Sequence, residues 1–185
     1  SANAHLARLT GGGLLRVEAR RGKRLFRVAA ADVSTAIDAL ASTTMASAAR
    51  STPQASPMTL AAPALLRHAR LCHGHLGGEL AAQLYQRMIA AGWIERCEHR
   101  TQVTVKGAQH LAGLGIFTQA LALPLVCDCF DWSQQQPHLG GALGAGLLQL
   151  FLQSNWISAI NESRALLVSD TGLAEITRLA GPDAL

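Results

Sequence analysis

One segment of this chain occurs twice. His75-Leu76-Gly77-Gly78 recurs as His138-Leu139-Gly140-Gly141, and of the 20 residues from there to Ile94 and Ile157, 10 are identical, Trp93 with Trp156 among them. A repeat of this length constrains the chain to copies of one supersecondary unit packed together. Each copy continues into a strand-like run, Val103-Thr104-Val105 or Leu166-Leu167-Val168, and then reaches a glycine, Gly107 or Gly172, ahead of a short helical pattern. The predicted order in both is helix, strand, strand, helix. The N-terminal stretch has the same order: Gly13-Leu14-Leu15 matches Gly92-Trp93-Ile94 in place, and Leu25 to Val28 precedes a helix as Val103 to Val105 does.

In that first unit, Leu6 and Leu9 fall at helical spacing in Ser1 to Leu9, and Gly11, Gly12 and Gly13 end the helix. Two apolar runs, Leu14 to Val17 and Leu25 to Val28, then flank a tip of Arg20, Arg21, Gly22, Lys23 and Arg24, which reads as a β-hairpin with a basic turn. A helix followed by a basic hairpin is the second half of a winged helix-turn-helix. The other two units then read as winged-helix-like repeats at about 75–116 and 138–180. Aromatic residues make up only 4% of a chain that is 49% apolar, a balance that favours packed helices over sandwiches of strands. The expected fold class is therefore mainly α with small β-hairpins.

The apolar run from Val33 through Ile37 to Leu40 predicts a helix behind Asp32 that ends near Ala41 or continues to Ala49. Pro53, Pro57 and their hydroxyl neighbours place a linker at 51–59, between a DNA-binding domain at 1–50 and a C-terminal domain at 60–185. From Leu60 a helix is expected up to Gly74, with Pro63 in its first turn and Leu65, Leu66, Ala69 and Cys72 on its apolar face.

Charge is distributed unevenly. Residues 1–50 hold eight Lys and Arg against three Asp and Glu, a net of +5, whereas the remaining residues come to −1. A basic excess gathered in the first quarter points to a local polyanionic partner, and double-stranded DNA is the commonest. No run of 18 apolar residues and no signal-peptide pattern occurs, so the expected location is the cytoplasm, with no membrane. The four cysteines are expected to be reduced.

The segment Ser1 to Leu9, the Gly12-Gly13-Leu14-Leu15 stop and the Arg-Gly-Lys-Arg tip resemble the recognition helix and wing of the ArsR family of bacterial winged-helix repressors. The C-terminal part is similar to a subgroup with an Arg-x-Cys-x-x-His-Leu motif, here Arg70, Cys72, His75 and Leu76. The subgroup also carries an Asp-Trp-x-x-x-x-Pro-His-Leu motif, here Asp131, Trp132, Pro137, His138 and Leu139. The resemblance implies a homodimeric transcriptional repressor, and further helices ahead of the recognition helix that this sequence does not contain.

On that reading Ser1, Asn3, His5 and Arg8 face DNA from the helix, with Asn suited to adenine and Arg to guanine, while Arg20, Arg21, Lys23 and Arg24 meet phosphate. The inducer is left open between a small molecule, a soft metal ion and a thiol-reactive compound. Cys127 and Cys129, two residues apart on one face of a strand, are able to chelate a soft ion together, and Cys72, His75 and His138 complete the sensor candidates. Against this stand buried, inert cysteines, and a shared packing or capping role for His75 and His138. Trp93 and Trp156 read as core residues, and Gly77, Gly78, Gly140, Gly141 and Gly144 as close-packing glycines rather than a phosphate cradle. No Gly-x-Ser-x-Gly, His-Glu-x-x-His or dinucleotide fingerprint occurs, so an enzyme is not expected. The alternative is a dimerising protein-interaction scaffold, disfavoured because a protein-binding hairpin has no reason to concentrate the basic excess.

Overall fold

The computed structural model describes residues 1–20, 23–30, 32–33, 36–37, 40, 64–97, 100–161 and 163–181. The chain divides into two compact units, Ser1–Ala41 and Ser42–Leu185. The 51–59 linker, the Leu60-to-Pro63 helix start and most of the helix expected from Asp32 onward lie outside the described residues, although Asp32, Val33, Ile37 and Leu40 are helical.

In the first unit, α1 (Ala2–Gly11) leads into a ladder of β1 (Leu15–Arg20) and β2 (Lys23–Val28). The register pairs Leu15 with Val28 and Val17 with Phe26 on one face, and Arg16 with Arg27 and Glu18 with Leu25 on the other. Two like charges placed opposite each other destabilise a ladder, and here Glu18 offsets them, lying 3.0 Å from Arg27 and 3.6 Å from Arg16.

The second unit begins with α2 (Ala64–His68) and then builds two copies of one arrangement. The first copy is β3 (Arg70–Cys72), β4 (His75–Gly77), α3 (Glu79–Ala90), β5 (Ile94–Cys97), β6 (Arg100–Val103) and α4 (Val105–Gly113). The second is β7 (Cys127–Asp131), β8 (Gln136–Gly140), α5 (Gly141–Gln153), β9 (Ile157–Ala159), β10 (Leu166–Val168) and α6 (Asp170–Arg178). Caps repeat as well. Thr104 and Ser169 each accept a hydrogen bond from a backbone N–H three residues on, Gly107 and Gly172, at the N-termini of α4 and α6.

The copies are interleaved. Helix α3 of the first lies against β8 of the second, and α5 of the second against β4 of the first. Equivalent side chains fill the shared core, including Leu80 with Leu143, Leu84 with Leu147 and Met88 with Phe151. Arg87 on α3 donates to the carbonyls of Ile176 and Leu179 at the end of α6, where a cation is favoured by the helix dipole.

This arrangement corrects the expected fold class. The described strands form five separate antiparallel ladders of two, so the chain is a mixed α and β structure rather than mainly α. A copy reads hairpin, helix, hairpin, helix, not helix, strand, strand, helix, and the winged-helix-like repeats are not what the chain builds. Nor do the described residues of the first unit contain a helix-turn-helix pair. The extra hairpins account for the difference. Leu65, Leu66, Ala69 and Cys72 have the spacing of a helical face, but His73 and Gly74 both take positive φ, 47° and 82°. Two such residues make the tight turn that joins short strands, and the helix stops at His68. No helix among the described residues is long and apolar enough to cross a membrane.

Candidate functional site

Each copy opens on a hairpin, and the registers of the two hairpins correspond. Cys72 pairs with His75 across β3 and β4, Cys129 pairs with His138 across β7 and β8, and Gly77 and Gly140 occupy matching positions opposite Arg70 and Cys127. Cross-strand partners on one face stand within side-chain reach, so each hairpin presents one thiol beside one imidazole. Interleaving turns these two pairs toward each other. The Cys72 and Cys129 sulfurs are 3.8 Å apart and the Nε2 atoms of His75 and His138 are 3.1 Å apart. One ligand atom from each of the four residues lies within 4.8 Å of all the others, and three of the four side chains are buried.

Small residues make this approach feasible. A Cβ on Gly77 would meet Cβ of Cys72 at 2.9 Å and Nε2 of His138 at 3.5 Å, and one on Gly140 would meet Cε1 of His75 at 3.2 Å. The glycine of each copy thus makes room for the imidazole of the other. The doubled His-Leu-Gly-Gly motif is a close-packing device, in which Gly77 and Gly140 let a strand end approach an imidazole.

The electrostatics of the sulfurs are uneven. Hydrogen bonding to Cys72, with the two imidazoles alongside, holds the Cys129 thiol far below the ordinary thiol range despite its burial. Cys72, hydrogen-bonded to that sulfur and buried, is pushed up and keeps its proton. A thiolate is the form that coordinates metals and attacks electrophiles. Cys127 differs. It is exposed, partial desolvation of its sulfur and the neighbouring Cys129 raise it, and it stands outside the cluster. The sulfur partner of Cys129 is therefore Cys72 from the other copy, not the Cys127 that sequence proximity suggested.

Beneath the cluster lies a buried polar network. Arg70 Nη2 donates to Asp131 Oδ2 at 2.8 Å, Gly78 N–H donates to the same oxygen at 2.6 Å, and Ser133 donates to Oδ1 through both its N–H and its hydroxyl. Burial alone would raise the Asp131 carboxyl, but Arg70 and these donors outweigh it and hold the group below its usual value. The Arg70 guanidinium also sits 4.4 Å above the Trp132 ring. Both motifs taken from the family resemblance meet here. Sequence reading named Arg70 and Asp131 only as motif members, because a buried ion pair spanning two copies has no local periodicity to announce it.

The proposed DNA-facing residues belong to the first unit. Ser1 precedes α1 as its N-cap without a side-chain capping bond, and Asn3, His5 and Arg8 are exposed. At about 100° per residue, His5 and Arg8 share a face with Ser1, whereas Asn3 lies on the side of Leu6 and Thr10. Arg20 and Lys23 pair at the end of the ladder, Arg24 is exposed, and Arg21 lies outside the described residues.

Over 175 residues, 93% of this chain and 75% of the relative, the sequence is 27% identical to a Bacillus subtilis (strain 168) protein named as the uncharacterized HTH-type transcriptional regulator YdfF. No family model and no solved structure matches the chain.

Proposed function

We propose that this chain is a DNA-binding transcriptional regulator, with α1 and the basic hairpin as its contact surface and the paired copies of the second unit as its effector body. The observation that carries the reading is the likeness, along 93% of the chain, to a protein named as a transcriptional regulator. The basic excess in the first fifty residues supports it, since charge gathered on one small unit suits a phosphate backbone. The finer reading is a cytoplasmic, homodimeric repressor of the ArsR type released by an inducer. It draws on the two C-terminal motifs, Arg70-x-Cys72-x-x-His75-Leu76 and Asp131-Trp132 through Pro137-His138-Leu139.

The test is the salt dependence of binding to a random-sequence duplex, followed by fluorescence anisotropy. Changing Arg20, Arg21, Lys23 and Arg24 together to Ala should weaken binding to every duplex alike and flatten the log–log salt slope by roughly 0.9 for each phosphate contact removed. Duplex binding that is indifferent to the four substitutions would reject the hairpin assignment, and no binding at any salt would favour the protein-interaction scaffold.

A further inference from the structure

We propose that Cys72, His75, Cys129 and His138 form a closed tetrahedral site for one zinc-class divalent ion, which fastens the two copies of the second unit to each other. The donor set is the one that a borderline-soft ion of this class prefers, two sulfurs and two imidazole nitrogens. Its sulfur–sulfur and nitrogen–nitrogen edges agree. With metal–sulfur and metal–nitrogen bonds of about 2.3 and 2.0–2.1 Å, the edges of a tetrahedron come to about 3.8 Å between sulfurs and about 3.3 Å between nitrogens. The corresponding separations are 3.8 and 3.1 Å.

Protein side chains supply all four corners from a largely buried position, which leaves no corner for a water or a substrate. That is the pattern of a structural rather than a catalytic centre. Binding releases to solvent the proton that Cys72 keeps in the ion-free chain. The two thiolates then balance the double charge of the ion, so the filled site is neutral where a bare ion would be costly to bury.

A second observation points the same way. His138 Nδ1 is buried without a hydrogen-bond partner, and Asp131 Oδ2 lies 3.8 Å from it. Coordination through Nε2 fixes the remaining proton on Nδ1, facing the carboxylate, which is the outer-shell arrangement that orients histidine ligands. Asp131 is in turn held by Arg70, Ser133 and the Gly78 N–H, so the network beneath the cluster acts as its support. Neither hairpin completes the shell alone, because each brings one sulfur and one nitrogen. The site stands on this geometry and does not depend on the DNA-binding reading.

The test is titration of the reduced, metal-free chain with cobalt(II), a spectroscopic stand-in for zinc. The expected result is one equivalent bound, with the intense visible bands of a tetrahedral centre and a thiolate-to-metal charge-transfer band. Zinc should displace the cobalt, abolish the colour and raise the thermal midpoint in proportion to the logarithm of its free concentration. The Cys97→Ser and Cys127→Ser variants should behave as the parent, and Cys72→Ser and Cys129→Ser should each lose the tetrahedral spectrum. A weak octahedral spectrum in the parent would overturn the proposal whether or not the cysteine variants fold. So would loss of the spectrum in Cys127→Ser, or an unchanged spectrum in the Cys72→Ser, Cys129→Ser double variant.

Discussion

Arg70 from the first copy and Asp131 from the second meet at 2.8 Å with both side chains withdrawn from solvent, at 1% and 0% exposure. Removing one member of such a pair leaves an uncompensated charge in the interior. Arg70→Met should therefore cost about 3–5 kcal/mol in urea denaturation. Replacing both residues with apolar ones of similar volume should recover much of that loss, and a double variant no more stable than Arg70→Met would show that the pair is not the source.

Helix α5 carries two glycines whose replacement should have opposite effects. A Cβ on Gly144 would collide with the carbonyl of Leu139, whereas one on Gly146 meets nothing nearer than Ile116 Cγ2 at 3.9 Å. Gly146→Ala should stabilise the chain by about 0.5–1 kcal/mol through helix propensity, and Gly144→Ala should destabilise it. Thermal midpoints of the two variants, measured side by side, check the sign.

Thr104 and Ser169 cap equivalent helices with equivalent bonds, 2.9 and 3.0 Å from hydroxyl to backbone nitrogen. Thr104→Ala and Ser169→Ala should each cost about 1 kcal/mol. The sites are distinct caps with no shared partner, so the double variant should show the sum of the single losses. A clear departure from additivity in denaturant unfolding would mean that the caps are coupled through the interleaved core.

On α1, His5 and Arg8 share a face that Asn3 does not. Arg8→Ala should relax specificity at a single base pair by about 1–3 kcal/mol, read from a panel of singly substituted operators. Asn3→Ala should leave the same panel unchanged. Equal loss on operator and random duplexes would move Arg8 to the phosphate contacts.

Much of this was legible in the sequence, though not all for the right reason. The repeat from His75 to Ile94 and from His138 to Ile157 announced two equivalent helices, each followed three residues on by a tryptophan. Gly107 and Gly172, read as preceding the last helix of each copy, lie inside it, three residues past the Thr104 and Ser169 caps. The opening hairpins were hidden. Three-residue strands such as Arg70–Cys72 are too short for an alternation to be told from a helical stripe, and only the pair of left-handed residues at His73 and Gly74 decides between them. The cysteine–histidine cluster was half visible. Its residues were all named, but local spacing favoured Cys127 as the partner of Cys129. Two residues separate Cys72 from His75, whereas eight separate Cys129 from His138, because the second hairpin carries two more ladder pairs and a longer loop beyond that pair. Ladder register, which spacing along the chain does not reveal, makes the two pairs equivalent.

The exchange of helices between the copies has a consequence for how the chain is made. Synthesis delivers β4 and α3 well before α5 and β8, so the first half emerges from the ribosome with Leu80, Leu84 and Met88 lacking the surface they finally rest on. Ordering must wait for contacts far apart in sequence, and such pairings are slow to form. A backbone nick in the connection between α4 and β7 should then yield two fragments that are each unstructured alone and that assemble when mixed, one half serving as the folding template of the other.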